Sequence, residues 1–223
     1  MKIHNLHRWN VSPKEAVQIQ LELQKKLKVT SLRQEPYLIA GCDASFQGKK
    51  AIGTVVVMTY RDLTIVEEAR KEIPLTYPYI PTLLTFREAP VLIKCLRSLK
   101  IVPDVILFDG QGIAHPRRMG LAAHMGVLLR KPTIGCAKSR LTGRFSEPEK
   151  TRGSFSYMKD DNSIIGAALR TRDNVNPVYV SIGHKITLED SIGIILSCVR
   201  KYRLPEPIRA AHSLASSGLK TGS

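Results

Sequence analysis

The chain has 223 residues, 43% of them hydrophobic and 24% charged, which is the balance of a chain that folds around a core and excludes disorder by composition. Lys and Arg outnumber Asp and Glu by 34 to 19, giving a net charge of +15 at pH 7; on a small domain this points to a polyanionic partner, DNA, RNA or an anionic membrane face. No apolar run reaches the roughly 18 residues of a membrane span, and Cys42, Cys95, Cys136 and Cys198 form no Cys-x-x-Cys pair, which argues against a zinc ribbon and a disulfide framework.

Met1–Trp9 lacks the apolar core and cleavage site of a signal peptide, so a cytoplasmic protein with buried free thiols is expected. The basic residues are dispersed in short clusters, Lys25-Lys26-Leu27-Lys28, Arg117-Arg118, Arg130-Lys131 and Arg200-Lys201-Tyr202-Arg203. Dispersed charge suits a folded surface that tracks phosphates better than a disordered basic arm.

Ser12-Pro13-Lys14-Glu15 has the form of a helix start, with Ser12 as N-cap and Glu15 closing a capping box; the helix is expected to run to about Val29. Three strand-like runs follow, Tyr37–Phe46, Ala51–Tyr60 and Leu63–Ile73, joined by short turns that imply antiparallel pairing. The third alternates most clearly, as an edge strand does. A proline-rich loop from Ile73 to Leu84 precedes a helix over Phe86–Lys100, in which Pro90 is tolerable only near the first turn. Val102–Phe108 reads as a buried strand, Arg117–Arg130 as a helix and Thr133–Ala137 as another buried strand, the pattern of parallel crossovers. Ser163–Arg170 and Val178–Ile182 read as a second hairpin, Leu188–Tyr202 as an amphipathic helix, and Pro205–Ala215 as a last helix, with a Ser- and Gly-rich tail expected to fray after about residue 215. With no internal repeat and no linker, residues 1–223 are expected to form one α/β domain on a mixed sheet, an element order found in the ribonuclease H-like fold.

Two carboxylates interrupt apolar strands. Asp43 lies within Leu38–Phe46, where a charge is costly unless it faces out, is paired or holds a metal. Asp109 ends Val105–Phe108 just before Gly110-Gln111-Gly112, the end of a strand where ligands of α/β sheets collect. Glu88, near the start of a helix, also suits the helix dipole; its claim rests on convergence with Asp43 and Asp109. Such an oxygen-rich cluster suits Mg²⁺ or Mn²⁺, and a metal, carboxylates and a basic surface are what phosphodiester hydrolysis needs. Lys138 follows the last parallel strand and would emerge on the same edge, either as a surface lysine or as a point charge for a phosphate.

Four segments in this order, Gly41-Cys42-Asp43-Ala44-Ser45, Pro78-Tyr79-Ile80-Pro81 with Phe86-Arg87-Glu88, Asp109-Gly110-Gln111-Gly112-Ile113-Ala114-His115-Pro116-Arg117-Arg118, and Gly135-Cys136-Ala137-Lys138-Ser139, resemble endonuclease V, a family of deoxyinosine-specific repair nucleases. The resemblance runs from about residue 10 to about residue 215. It implies a ribonuclease H-like fold with Asp43, Glu88, Asp109, Lys138 and His212 as catalytic residues, and with Asp43 and Asp109 holding Mg²⁺, for which Mn²⁺ substitutes. It implies a wedge at Pro78, Tyr79, Ile80 and Pro81 that fills the gap left by an extruded base. It further implies a base pocket built from backbone amides around Leu84, Gly110 and Leu121, with Gly112 and His115, that accepts hypoxanthine and rejects guanine's exocyclic amine. Thr82 departs from the family, in which many bacterial members have glycine at this position.

The expected activity is metal-dependent hydrolysis of the second phosphodiester on the 3′ side of deoxyinosine in DNA, leaving 3′-hydroxyl and 5′-phosphate, by a monomer with no membrane partner. The alternatives are an endoribonuclease for inosine-containing RNA, a non-catalytic nucleic-acid-binding module, and, more weakly, a metabolic α/β enzyme. The last lacks the full Gly-x-Gly-x-x-Gly fingerprint, since position 115 is His.

Overall fold

The computed structural model describes residues 1–217. Eight strands form one mixed sheet in the order β3-β2-β1-β4-β5-β8-β7-β6. β1 (Leu38–Gln47), β2 (Lys50–Thr59) and β3 (Ile65–Pro74) form an antiparallel meander. Beyond it, β4 (Val105–Phe108) and β5 (Thr133–Ala137) run parallel to β1. The connections supply α2 (Leu84–Ser98) and α3 (Leu121–Leu129). β6 (Phe155–Asp160), β7 (Ser163–Leu169) and β8 (Val178–His184) complete the sheet in antiparallel fashion, β8 against β5. α1 (Pro13–Gln24), α4 (Leu188–Ser197) and α5 (Glu206–Ser217) are the remaining helices.

The period-two alternation of the central strands divides the core between the two faces. Ile39, Val105 and Leu107 join Ile192, Ile195 and Ile208 under α4 and α5. Ala40, Cys42, Ile106 and Phe108 join Leu92, Leu96 and Leu128 under α2 and α3. By the same parity Gly41 and Asp43 face α5. At Gly41 the contact with α5 is close: a Cβ would stand 2.1 Å from the carbonyl carbon and oxygen of Pro207. Only glycine lets the start of α5 settle directly on β1.

Ser12 and Glu15 make the expected capping box, with Glu15 N–H donating to Ser12 Oγ and Ser12 N–H to Glu15 Oε2. β3 is the exposed edge strand. All four cysteines are free and buried, and among the described residues no helix is long and apolar enough to cross a membrane.

Several boundaries differ from the sequence reading. α1 stops at Gln24 rather than Val29 because Lys28 is drawn to the end of β8: its N–H donates to His184 Nδ1 and its carbonyl accepts from Lys185 N–H. α2 begins at Leu84, so Pro90 falls in its second turn. β4 begins at Val105, after Pro103, which cannot donate to a ladder. α3 begins at Leu121 rather than Arg117, because Arg118 takes a left-handed φ of 54° in a turn closed by its N–H on His115 O. α4 ends at Ser197, where Arg200 Nη1 donates to the Ser197 carbonyl. β7 pairs with β8 as expected, but β7 also pairs with β6, a strand absent from the sequence reading. Of the tail expected to fray, residues 218–223 lie outside the described residues.

A polar hub ties α1 to the loop before α2. Thr82 has φ 67°, a left-handed conformation that strains a β-branched residue by about 1–3 kcal/mol. Its carbonyl accepts from Gln20 Nε2 at 3.0 Å, His115 Nε2 at 2.9 Å and Arg117 Nη2 at 3.0 Å. Arg117 Nε also donates to Gln20 Oε1 at 2.6 Å. His115 Nδ1 accepts from Arg117 N–H, so the ring is the neutral Nε2–H tautomer.

Burial, the leading cause in each case, lowers His115 and His184 to about 4 and holds His124 well below 6.5. These rings are neutral when folded and take up protons when unfolded near pH 6, so their contribution is full above pH 6.5 and is lost as pH falls towards 4. Each adds a slope of up to about 1.4 kcal/mol per pH unit in that window. Urea unfolding of the wild type and His184→Gln across this range should show a shallower acid loss in the variant, by about one proton. The difference cancels the contribution of every other titrating group, and parallel curves would contradict the assignment.

Candidate active site

Four polar side chains meet where the parallel β1–β4 ladder ends, at the middle of β1 and the carboxyl ends of β4 and β5. The last rung of the parallel β1–β4 ladder pairs Cys42 with Phe108, and Asp109 N–H donates to Cys42 O at 3.2 Å. Asp43, midway along β1, and Asp109, just past the end of β4, are therefore neighbours. Lys138, just past β5, reaches Asp109 Oδ2 with its Nζ at 2.6 Å. On the other side His212 Nδ1 stands 2.9 Å from Asp43 Oδ2. The histidine is brought there by the contact of α5 on Gly41.

The electrostatics follow from this crowding. Burial, then the charge of Asp109, raises the Asp43 carboxyl above its ordinary value, while His212 and Lys138 pull it down. Glu88, on α2 at the edge of the same cluster, is pushed up to about 8 by burial and then by Asp43 and Asp109. Mutual repulsion among carboxylates is relieved by a hard divalent cation, and an all-oxygen donor set suits Mg²⁺ or Mn²⁺. Among the described residues no three His, Cys, Asp or Glu side chains stand in a ready-made ligand arrangement. The acids are gathered without closing on a common point, and Lys138 and His212 each hold one of their oxygens.

Beside the cluster lies a pocket of about 380 Å³ lined in part by Tyr79, Pro81, Thr82, Leu84, Glu88, Asp109, Gly110, His115, Leu121 and Lys138. Two helices begin in its wall. α2 follows Leu83 and α3 follows Gly120, and neither N-cap residue makes a side-chain capping hydrogen bond. Of the first-turn amides Phe86 N–H is taken by Leu83 O and Ala122 N–H by Gln111 O; those of Leu84 and Leu121 stand at the uncapped helix starts, where an acceptor is favoured. Gly112 is placed elsewhere: its N–H donates to Ser181 Oγ at 2.8 Å, and an added Cβ would stand 2.0 Å from Ile182 O. It packs the loop on β8 and does not line the pocket.

In the proline-rich loop Tyr77 is buried, Pro78 and Pro81 are exposed, and Tyr79 is 68% exposed. Ile80 packs partly against the Tyr77–Leu83–Phe86 cluster. Arg87 steadies the loop from below, donating to Tyr77 O at 2.9 Å, with its guanidinium 4.3 Å from the centre of the Phe46 ring. Sequence reasoning missed Gln20 and Thr85 and the wall formed by Gln111 and Ser139–Leu141. Gln20 carried a signal, a polar residue on a helix with an apolar stripe. Gln111 and Ser139 lie within the segments that resemble the family, but nothing in those segments sets them apart as pocket residues.

The sequence profile of the Endonuclease V family matches residues 21–213. Endonuclease V of Methanothrix thermoacetophila is 49% identical over 215 residues, covering 96% of each chain. The crystal structure of Endonuclease V from Streptomyces avermitilis superposes with a TM-score of 0.91 at 35% identity, covering 99% of this chain and 98% of that one. Endonuclease V of Ciona intestinalis, in complex with a 24mer DNA containing an inosine followed by a ribo-adenosine, superposes with a TM-score of 0.80 at 28% identity, covering 93% and 97%. The mixed sheet and these neighbours are those of the ribonuclease H-like fold expected from the sequence. The chain is an endonuclease and belongs to the Endonuclease V family.

Proposed function

We propose that this endonuclease recognises deoxyinosine in DNA and hydrolyses the second phosphodiester on its 3′ side, leaving 3′-hydroxyl and 5′-phosphate. The observation that carries the reading is the position of the pocket, between the exposed Tyr79 tip and the carboxylate cluster. A base extruded into it places its own strand across Asp43, Asp109 and Lys138. The helix-start amides beside Leu84 and Leu121 suit the acceptor oxygen of hypoxanthine. The bound DNA of the Ciona relative contains inosine, which agrees with this substrate.

Asp43 and Asp109 are the residues that would hold Mg²⁺. When bound, the ion supplies charge neutralisation at the phosphate and acidification of the attacking water. Glu88 orients that water. Lys138 gives its charge to the scissile phosphate, and His212 holds the Asp43 carboxylate in place and supplies a proton site beside it. Tyr79 fills the gap left by the base and keeps the strands apart. Inosine-containing RNA is the second reading, favoured by the ribo-adenosine that follows inosine in the Ciona complex. A pure binding module is disfavoured, because it has no use for carboxylates facing phosphates.

Asp109→Ala should lower single-turnover cleavage of inosine-containing duplex by at least about 10²–10³-fold. Its affinity for the same duplex should hold or rise, because Lys138 loses its internal partner and a negative charge leaves the phosphate path. Loss of binding together with cleavage, in a protein that keeps its fold, would contradict the assignment. Tyr79→Ala should weaken inosine-selective binding by about 1–3 kcal/mol, the scale of one stacking contact. An unchanged preference for inosine over adenine in a gel-shift titration would remove the wedge role.

A further inference from the structure

The segment bearing Lys138 begins where the sheet ends. The last rung between β5 and β8 pairs Ala137 with Tyr179, so Lys138 is the first residue beyond it. On the partner strand β8 begins at Val178, and Pro177 just before it, which the same register sets opposite Ser139, has no N–H to extend the ladder. Left alone, two strand ends facing a pocket would splay.

Arg203, in the connection between α4 and α5, closes this gap. Its Nη2 lies 2.7 Å from Lys138 O and 2.7 Å from Pro177 O. One side chain thus bridges the carbonyls of both strand ends just past the last rung. Arg203 is fixed in turn, because its carbonyl accepts from Thr171 Oγ1 at 2.7 Å, and the connection is closed by Glu206 N–H on Cys198 O. From the pocket side Gln111 Nε2 donates to Ser139 O at 2.9 Å. The backbone of residues 138 and 139 is held from two directions, and the Lys138 ammonium then meets Asp109 at 2.6 Å.

We propose that Arg203 is a positioning residue for cleavage, a side-chain rung that holds the Lys138 backbone so that its ammonium is aimed at Asp109 and the scissile phosphate. The role rests on the reading of Lys138 given above. It concerns the rate of the chemical step and leaves binding of the lesion alone, because Arg203 touches the strand ends and not the pocket.

The test is a double-mutant cycle in single-turnover cleavage of inosine-containing duplex, with enzyme in excess and Mg²⁺ present. Arg203→Met should slow cleavage by about ten- to hundredfold, the scale of misplacing a reacting group, with binding affinity changed less than about twofold. Arg203→Lys, which keeps a cationic donor without the guanidinium's fixed fork, should recover part of the rate. In a Lys138→Ala background Arg203→Met should have almost no further effect. Equal losses in both backgrounds, or an unchanged rate when Arg203→Met is made with Lys138 intact, would overturn the proposal. If Lys138→Ala alone leaves cleavage intact, it is the role of Lys138 that fails, a result distinct from failure of the rung. Should Arg203→Met fail to fold, Arg203→Lys carries the same comparison.

Discussion

The structure turns on the repulsion between two carboxylates that the sheet forces together. Parallel pairing of β1 with β4 sets Asp43, midway along β1, beside Asp109 at the end of β4, and neither can move without breaking the ladder. Burial and mutual charge raise Asp43 and push Glu88 to about 8. The protein answers with two nitrogens, Lys138 on Asp109 and His212 on Asp43. Both come from elements that reach the sheet edge by separate routes. His212 depends on a glycine small enough for α5 to rest on β1, and Lys138 on a strand end fastened by Arg203.

A second constraint shapes the pocket next to the acids. α2 and α3 both begin in its wall without side-chain caps, so the wall offers backbone donors. The loop that carries Tyr79 into this wall passes through Thr82 in a left-handed conformation. Three donors on one carbonyl hold that strained residue. Strain held in this way fixes the distance between the wedge tip and the pocket. The threonine hydroxyl adds to this support by accepting from Arg117 Nη2.

The sheet was largely legible from the chain, because β1, β2, β4 and β5 are apolar runs of strand length between turn residues, and their order dictates the crossovers. β6 was not legible: Phe155 and Tyr157 are 41% exposed and only Met158 is fully buried, so its pattern resembles a polar loop. Helix ends were misplaced where tertiary bonds overrode periodicity, as at Lys28 and Arg118. Asp43 and Asp109 announced themselves as charges in apolar strands. Glu88 did not, since a glutamate near a helix start has an ordinary explanation, and its place in the cluster is a fact of three dimensions. Arg203 and Gln111 act on backbone carbonyls, which leave no complementary residue in the sequence to reveal them.

The most direct test of the account is cleavage of end-labelled duplexes, one with a single deoxyinosine and one matched without it, each with Mg²⁺ and with EDTA. The account predicts a cut only in the inosine duplex, only with Mg²⁺, and one nucleotide beyond the inosine on its 3′ side. A cut at another position, a cut that survives EDTA, or binding to the lesion without any cut would contradict it.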